Sequence, residues 1–240
     1  MDMSAKTILL TGGTNGIGRA LAQQLKDKGA QVVVTGRSAA RLEDMRNEGF
    51  EALHADLSSA DGVDALLAAW GERPLDVLIN NAGMGATQDY RNGSPDPDDA
   101  DACFYANLSA PVRLITGLLP LLKAQREAAI MNVTSGLALA PSAAGSVYCA
   151  TKAGLRSFTF SLRKQLEGTP ITVIEALPPM VETQMTEGQK GKKISADECA
   201  AEMLRALERN QPHAYIGQVK LLKRVQSLSP ALARRVMLNF

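Results

Sequence analysis

Histidine, cysteine and net charge are all scarce in this chain of 240 residues. It has 2 His and 3 Cys. Cys103, Cys149 and Cys199 stand at unrelated spacings, with only His54 and His213 to join them. No metal cluster is written in that pattern, and three reduced thiols in a cytoplasmic protein are the expectation. The 26 Lys and Arg against 25 Asp and Glu leave a net charge of +1. Bulk electrostatics therefore gives no ground for a nucleic-acid partner. Near the N-terminus the only apolar run is Ile8-Leu9-Leu10, far too short for a signal-peptide core or a membrane span. What the chain does have is an apolar fraction of 45% and a charged fraction of 21%. Those values are ordinary for a globular protein, and the length suits one α/β domain with a sizeable core.

Apolar runs alternate with helical periodicity. Residues 7–11 and 31–35 read as strands, the second containing Val32-Val33-Val34, a run of the kind buried on both faces of a parallel sheet. Between them Ile17, Ala20, Leu21 and Leu25 recur at helical spacing, and Gly29 offers a stop. Further strands are expected at 53–55, 77–79, 129–134, 171–177 and 214–217. Helices are expected at 61–70, about 100–123 (disturbed by Pro111 and Pro120), 147–166 and 195–208. The last has Ser195 as N-cap and Glu198 completing a capping box. This alternation predicts a parallel sheet with helices on both faces, in a single domain over 1–240. A cofactor half is expected at about 1–100, a catalytic and substrate half at about 101–210, and a basic extension at about 212–240. Residues 91–101, rich in Asp and Pro, read as a surface excursion. The polar stretch 182–193, with Gly188 and Gly191, follows the sixth strand, where ligands bind in such sheets; it reads as a mobile lid or as an ordinary exposed loop.

Between the first strand and the first helix lies Thr11-Gly12-Gly13-Thr14-Asn15-Gly16-Ile17-Gly18. Glycines there permit a tight turn and close approach of the backbone to a pyrophosphate, and the helix N-terminus supplies free N–H groups. The second strand ends Thr35-Gly36-Arg37. Many NAD sites place an acidic residue here for the ribose 2′-hydroxyl; Gly36 leaves that place empty and Arg37 brings a guanidinium suited to the 2′-phosphate of NADP. NADP(H) is therefore expected over NAD(H). Arg41, one helical turn on, can assist Arg37, although a plain exposed arginine is preferred. Asp56 is either an acceptor for an adenine amino group or a helix cap. Asn80-Asn81-Ala82-Gly83 ends the fourth strand in small residues, as close cofactor contact requires.

Tyr148 and Lys152 are four apart in a helical stretch and share a face. A nearby ammonium is expected to lower the phenol's pKa from about 10, so that Tyr148 can exchange a proton with a carbonyl or alcohol oxygen at neutral pH. Ser135, just past the fifth strand, can hydrogen-bond the same oxygen. Asn107, in the preceding helix, can hold a water leading from Lys152 to solvent.

Together these residues resemble the short-chain dehydrogenase/reductase family over nearly the whole chain, from Thr7 to about Leu207. The resemblance rests on Thr-Gly-x-x-x-Gly-Ile-Gly at 11–18, Asn-Asn-Ala-Gly at 80–83, Asn107, Ser135, and Tyr-x-x-x-Lys at 148–152. It implies an α/β, Rossmann-type doubly wound sheet, hydride transfer with NAD(P), and a Ser-Tyr-Lys-Asn tetrad acting on a carbonyl or secondary alcohol. By the same resemblance Lys152 contacts the nicotinamide ribose, Asp56 and Leu57 the adenine, and Asn81 the cofactor cleft, while Val181 and Thr183 meet the carboxamide. The family's usual Pro-Gly after the sixth strand is here Pro178-Pro179, which stiffens the turn and removes an N–H. Pro178-Pro179 and Ser135-Gly136-Leu137-Ala138 are similar to the DltE-type subgroup. A homodimer or homotetramer built on the Asn107 and Tyr148 helices is also implied.

Met84, Leu137, Ala138 and Met180 are candidate substrate contacts and suggest an apolar substrate. From 212 to 240 there is no acidic residue, while Lys220, Lys223, Arg224, Arg234 and Arg235 are basic. A helix packed on its own or a partner subunit is preferred there to a membrane contact, and no stable insertion is expected. Three other functions are weighed: enoyl reduction, disfavoured by the Tyr–Lys spacing; an NADP-binding regulatory protein, which has no need of the tetrad; and a serine hydrolase, for which Ser135 lacks a Gly-x-Ser-x-Gly setting.

Overall fold

A strand buried on both faces must be apolar at successive positions, and the order of such strands decides where a ligand can enter. The computed structural model describes residues 1–86, 88–91 and 93–239. Its first half comprises β1 (Thr7–Leu10), α1 (Gly16–Asp27), β2 (Gln31–Gly36), α2 (Ala39–Asn47), β3 (Glu51–His54), α3 (Ala60–Trp70) and β4 (Val77–Asn80). The second half continues with α4 (Pro97–Phe104), a π turn (Tyr105–Ser109), α5 (Ala110–Lys123), β5 (Ala128–Val133), α6 (Ser146–Gln165), β6 (Ile171–Leu177), α7 (Ala196–Glu208) and β7 (His213–Tyr215). Two short helices, α8 (Val219–Leu228) and α9 (Pro230–Leu238), end the described chain. The strands form one parallel sheet in the order β3-β2-β1-β4-β5-β6-β7. The order reverses between β1 and β4, and the strand ends diverge there.

Alternation along the strands divides the core in two. Ile8, Leu10, Val34, Ile79, Met131 and Ile174 face α1 and α7, packing with Leu21, Leu25, Met203 and Leu207. Leu9, Val33, Leu78, Ile130 and Val173 face α3, α5 and α6, packing with Leu66, Trp70, Leu114, Leu118 and Leu162. The sheet is thus covered on both faces, as a doubly wound Rossmann-type fold requires. Cys103, Cys149 and Cys199 are buried free thiols. Pro97–Lys123 is the one stretch among the described residues long and apolar enough to cross a membrane by length and composition. A π turn divides it, and its residues Leu114, Ile115, Leu118 and Leu122 are committed to the core.

The structure departs from the sequence expectations in several places. Helix α2 was not foreseen: only Leu42 and Met45 are buried along it, so its periodicity is faint, although Ser38 caps it by accepting from the Arg41 N–H. The described residues of 91–101 lie at the surface as expected, but their second half is helical: Asp96 caps α4 and Pro97 opens it. The helix expected over about 100–123 is present as one continuous helical stretch, Pro97–Lys123; a π turn at Tyr105–Ser109 disturbs it just before Pro111, while Pro120 lies inside α5 without ending it. β3 begins two residues before the expected 53, and β7 runs from His213 to Tyr215. The capping box at Ser195 and Glu198 is present in both directions. Asn92 within the 91–101 stretch and Phe240 at the end of the basic extension lie outside the described residues.

One carboxylate is buried in the sheet. Glu175 of β6 has a fully covered side chain, bonded to Arg156, to His213 Nδ1 at 3.2 Å and to the Thr134 hydroxyl at 2.8 Å. Burial alone pushes its pKa up; the His213, Arg156 and Thr134 contacts outweigh that and hold it below the usual carboxylate value. The group therefore contributes stability above the unfolded pKa that is lost as pH falls through the folded one. Removing one partner leaves a charge without compensation in the interior. Arg156→Met is predicted to cost about 3 kcal/mol in urea unfolding at pH 7. It should also reverse the linkage: with the Glu175 pKa raised, stability falls as pH rises from 4 to 6. An acid limb unchanged from wild type would contradict this account.

Candidate active site

At the reversal point the end of β1 must be joined to the end of β4 without closing the gap between them. Thr11 does this. Its hydroxyl donates to the Ile79 carbonyl at 3.3 Å and accepts from the N–H groups of Asn81 and Ala82, both at 3.0 Å. The Asn81 amide donates in return to the carbonyls of Thr11 (3.0 Å) and Gly12 (3.1 Å). Beside this knot opens a cavity of about 660 Å³. It is lined by Gly12, Thr14, Asn15, Gly16, Ile17, Gly18, Arg37, Asp56, Leu57, Asn81, Ala82, Gly83, Met84 and Thr183, each of them singled out in the sequence.

The cavity fits a dinucleotide. At Gly12, with φ +64°, an added Cβ would lie 2.8 Å from Ala82 Cα; at Gly18 it would lie 2.2 Å from the Gly12 carbonyl oxygen. Side chains at either place would push the turn out of shape or into the cleft. Asn15 caps α1, whose first turn has no acidic residue, so its N–H groups and partial positive charge remain available to an anion. Arg37 is 61% exposed, with Asp56 Oδ1 3.9 Å away. Asp56 is not a helix cap: Ser59 caps α3, and Asp56 accepts from the N–H and the hydroxyl of Ser58. Partial burial raises its pKa, but the Ser58 bonds and Arg37 outweigh this and lower it. Arg41, for which exposure was preferred to a supporting role beside Arg37, also lines the cavity and donates to Gln184 Oε1 at 2.9 Å; Asn15 reaches the same oxygen at 3.4 Å. Gln184 belongs to the 182–193 stretch expected at the ligand end of the sheet, although nothing singled it out individually.

Ser135, Asn107, Tyr148, Lys152, Leu137, Ala138, Pro178, Met180 and Val181 do not line that cavity. Gly83 links the two regions. A Cβ there would lie 3.1 Å from Asn107 Oδ1 and 3.3 Å from Lys152 Nζ, so the lysine and asparagine stand directly behind the cleft wall. Lys152 is 3% exposed and donates to the Val133 carbonyl at 2.9 Å. Its Nζ lies 5.6 Å from the centre of the Tyr148 ring, whose hydroxyl is hydrogen-bonded to Ser135. Ser135 also accepts from the Leu137 N–H at 3.1 Å, and Gly136 N–H donates to the Pro178 carbonyl at 2.9 Å. That last bond carries the turn across the sheet from β5 to β6 despite the paired prolines.

The expected lowering of the Tyr148 pKa is not found. Burial pushes the phenol up to about 12, only partly opposed by Ser135. Burial likewise pulls Lys152 down to about 8. The ammonium is turned toward a backbone carbonyl rather than the phenol oxygen, and desolvation dominates both groups. Asn107 is fixed by protein contacts. Its side chain is engaged: Oδ1 accepts from Met84 N–H at 2.9 Å, and Nδ2 donates to the Met84 carbonyl (2.8 Å) and to Thr151 Oγ1 (3.1 Å) and lies 3.3 Å from Cys103 Sγ. It clamps the wall of the cleft to α6. Thr151 and Cys103, which complete that clamp, were not among the expected site residues; Thr151 sits beside Lys152 but carries no signal of its own.

Residues 182–193 are tied down. Val181 bridges Ile194, the Thr186 hydroxyl donates to the Val181 carbonyl at 2.5 Å, and Lys193 donates to the Thr186 carbonyl at 2.6 Å. Met180 lies 3.6 Å from the position of a Cβ on Gly191.

Comparison with known proteins agrees with this arrangement. A profile of the short chain dehydrogenase family matches residues 6–193. The uncharacterized oxidoreductase DltE of Bacillus subtilis is 41% identical over 201 residues, 80% of this chain and 78% of that protein. Serine 3-dehydrogenase of Agrobacterium fabrum is 34% identical over 201 residues, again 80% and 78%. A short chain dehydrogenase from Burkholderia cenocepacia, solved in complex with NADP, is 25% identical and superposes with a TM-score of 0.87 over 99% of both chains. A parallel sheet reversed at a glycine-rich turn, with a Ser, Tyr and Lys gathered behind its cleft, thus identifies this chain as an oxidoreductase of the short-chain dehydrogenase/reductase family.

Proposed function

We propose that this protein interconverts a carbonyl and a secondary alcohol with NADP(H), using Tyr148 as the proton donor and acceptor. The observation that carries the reading is the position of Lys152 and Asn107 directly behind Gly83, where the dinucleotide cleft meets the Ser135–Tyr148 pair. When bound, the nicotinamide supplies or accepts the hydride. The rest falls to the chain. Tyr148, with a pKa of about 12, is protonated at neutral pH and so set to give a proton to a carbonyl oxygen. Ser135, already bonded to the phenol, holds the same oxygen. Lys152 carries charge below about 8, stabilises the phenolate left by proton transfer, and touches the nicotinamide ribose. Asn107 keeps Met84 and Gly83 in register with α6, and the relay to solvent passes beside it.

In the same reading the turn Gly12 to Gly18 cradles the pyrophosphate, Asp56 and Leu57 hold the adenine, and Pro178, Val181 and Thr183 hold the carboxamide, with Asn81 and Ala82 forming the floor. Arg37 takes the 2′-phosphate; the preference for NADP over NAD rests on that guanidinium and on the absent acid. Met84, Leu137, Ala138 and Met180 favour an apolar carbonyl substrate. Phe104 of α4 and Phe160 of α6 are 40% and 39% exposed, and they support a homodimer or homotetramer built on those helices.

Tyr148→Phe should lower turnover about 10²- to 10⁴-fold while leaving the NADPH-induced rise in melting temperature unchanged. Loss of both together would instead mark Tyr148 as a binding residue. In wild type the rate of carbonyl reduction should stay level up to pH 7 and fall as pH rises through about 8, where Lys152 loses its charge. A rate that climbs through that range would contradict the assignment. Arg37→Ala should weaken NADPH binding about 10- to 100-fold and leave NADH unaffected, as measured by fluorescence titration.

A further inference from the structure

The chain's charges are unevenly placed. Residues 212–240 hold five Lys and Arg and no Asp or Glu, which leaves the rest of the chain with a net negative charge. The same segment folds into α8 and α9, which pack on one another, with Ala233 buried between them. Val219 roots the pair against Gly136, next to Ser135. The apolar side chains of the pair are not all covered. Leu221 is 64% exposed, Leu228 87% and Leu232 50%, with Val236 and Leu238 also exposed. Arg224, Arg234 and Arg235 stand among them, and none of the three has a carboxylate partner among the described residues. At the root of α8 a second cavity of about 280 Å³ is bordered by Arg205, Arg209, His213 and Lys220. Glu202 also borders it and pairs with Lys220 at 2.6 Å, while His213 is held by Glu175; Arg205 and Arg209 have no carboxylate partner among the described residues.

We infer that the α8–α9 pair docks reversibly on a bilayer surface rich in anionic phospholipid. The leucines enter the acyl boundary, and the arginines of α8 and α9, with Arg205 and Arg209 at the root, meet lipid phosphates. Charge complementarity selects this occupant. A second copy of the chain would set the same unpaired cations face to face with no acid between them. A polar acidic protein would leave the leucines in water. A lipid surface meets both demands, since an amphipathic helix with basic residues beside its apolar ones lies in the interface plane. Neither helix, of 10 and 9 residues, is long enough to span. The contact is therefore peripheral and salt-sensitive.

The test is co-sedimentation of the full-length protein with vesicles of equal phosphatidylglycerol and phosphatidylcholine, against phosphatidylcholine alone, at low salt. The expected bound fraction is at least about fivefold higher on the anionic vesicles. The double variant Leu228→Ser/Leu232→Ser, whose charge is unchanged, should lose that binding. Arg234→Gln/Arg235→Gln should lose it too, and provides the test if the leucine variant melts early. No binding to anionic vesicles overturns the inference. So does binding that survives the leucine changes, since that is generic attraction of a basic patch. Light scattering supplies the remaining contradiction: an assembly that shrinks in the leucine variant, with no vesicle binding by wild type, gives the surface to a second copy.

Discussion

The fold's function depends on keeping two strand ends apart while holding them in register. Thr11 and Asn81 do both, through one hydroxyl that serves three backbone groups and one amide that serves two. Without that knot the divergence of β1 and β4 would leave buried backbone groups without partners, which a protein interior does not tolerate. With it, the Ile79, Thr11 and Gly12 carbonyls and the Asn81 and Ala82 N–H groups have partners while the cleft stays open. The glycines of the turn then shape the cleft, and α1 points its N-terminus into it.

Behind Gly83 the electrostatics run against intuition. A lysine and a tyrosine close together in water would help each other ionise. Here burial outweighs their attraction and moves the two pKa values apart, the phenol up to about 12 and the ammonium down to about 8. Such a pair is poised rather than ionised: the acid keeps its proton, and the cation is near enough to neutral pH to respond to its surroundings. The clamp of Asn107 on Met84 and Thr151 fixes the geometry in which this happens. A positively charged group buried beside Tyr148 is held at a cost to stability, which the apolar packing on both faces of the sheet offsets.

Much of this could be read from the residues. The strands were visible because β1, β4, β5 and β6 are apolar on both faces, and the glycine turn and Tyr-x-x-x-Lys are local patterns. Helix α2 was hidden because it buries only Leu42 and Met45, and the π turn was hidden because Tyr105–Ser109 continues a helical periodicity. The knot at Thr11, the clamp at Thr151 and the reach of Gln184 to Arg41 could not be read, because each joins residues distant in sequence through a single side chain. The sign of the tyrosine shift was missed for a related reason. Spacing tells which groups are neighbours, whereas burial, which decides the sign here, comes from the whole fold.

The most direct test of the central claim is a crystal structure grown with NADP⁺. The account predicts the 2′-phosphate at Arg37, the pyrophosphate on the 12–18 turn, and the nicotinamide against Gly83 with its reactive carbon facing the Tyr148 hydroxyl. A dinucleotide bound elsewhere, or seated in the cleft with its nicotinamide turned away from Tyr148, would contradict it.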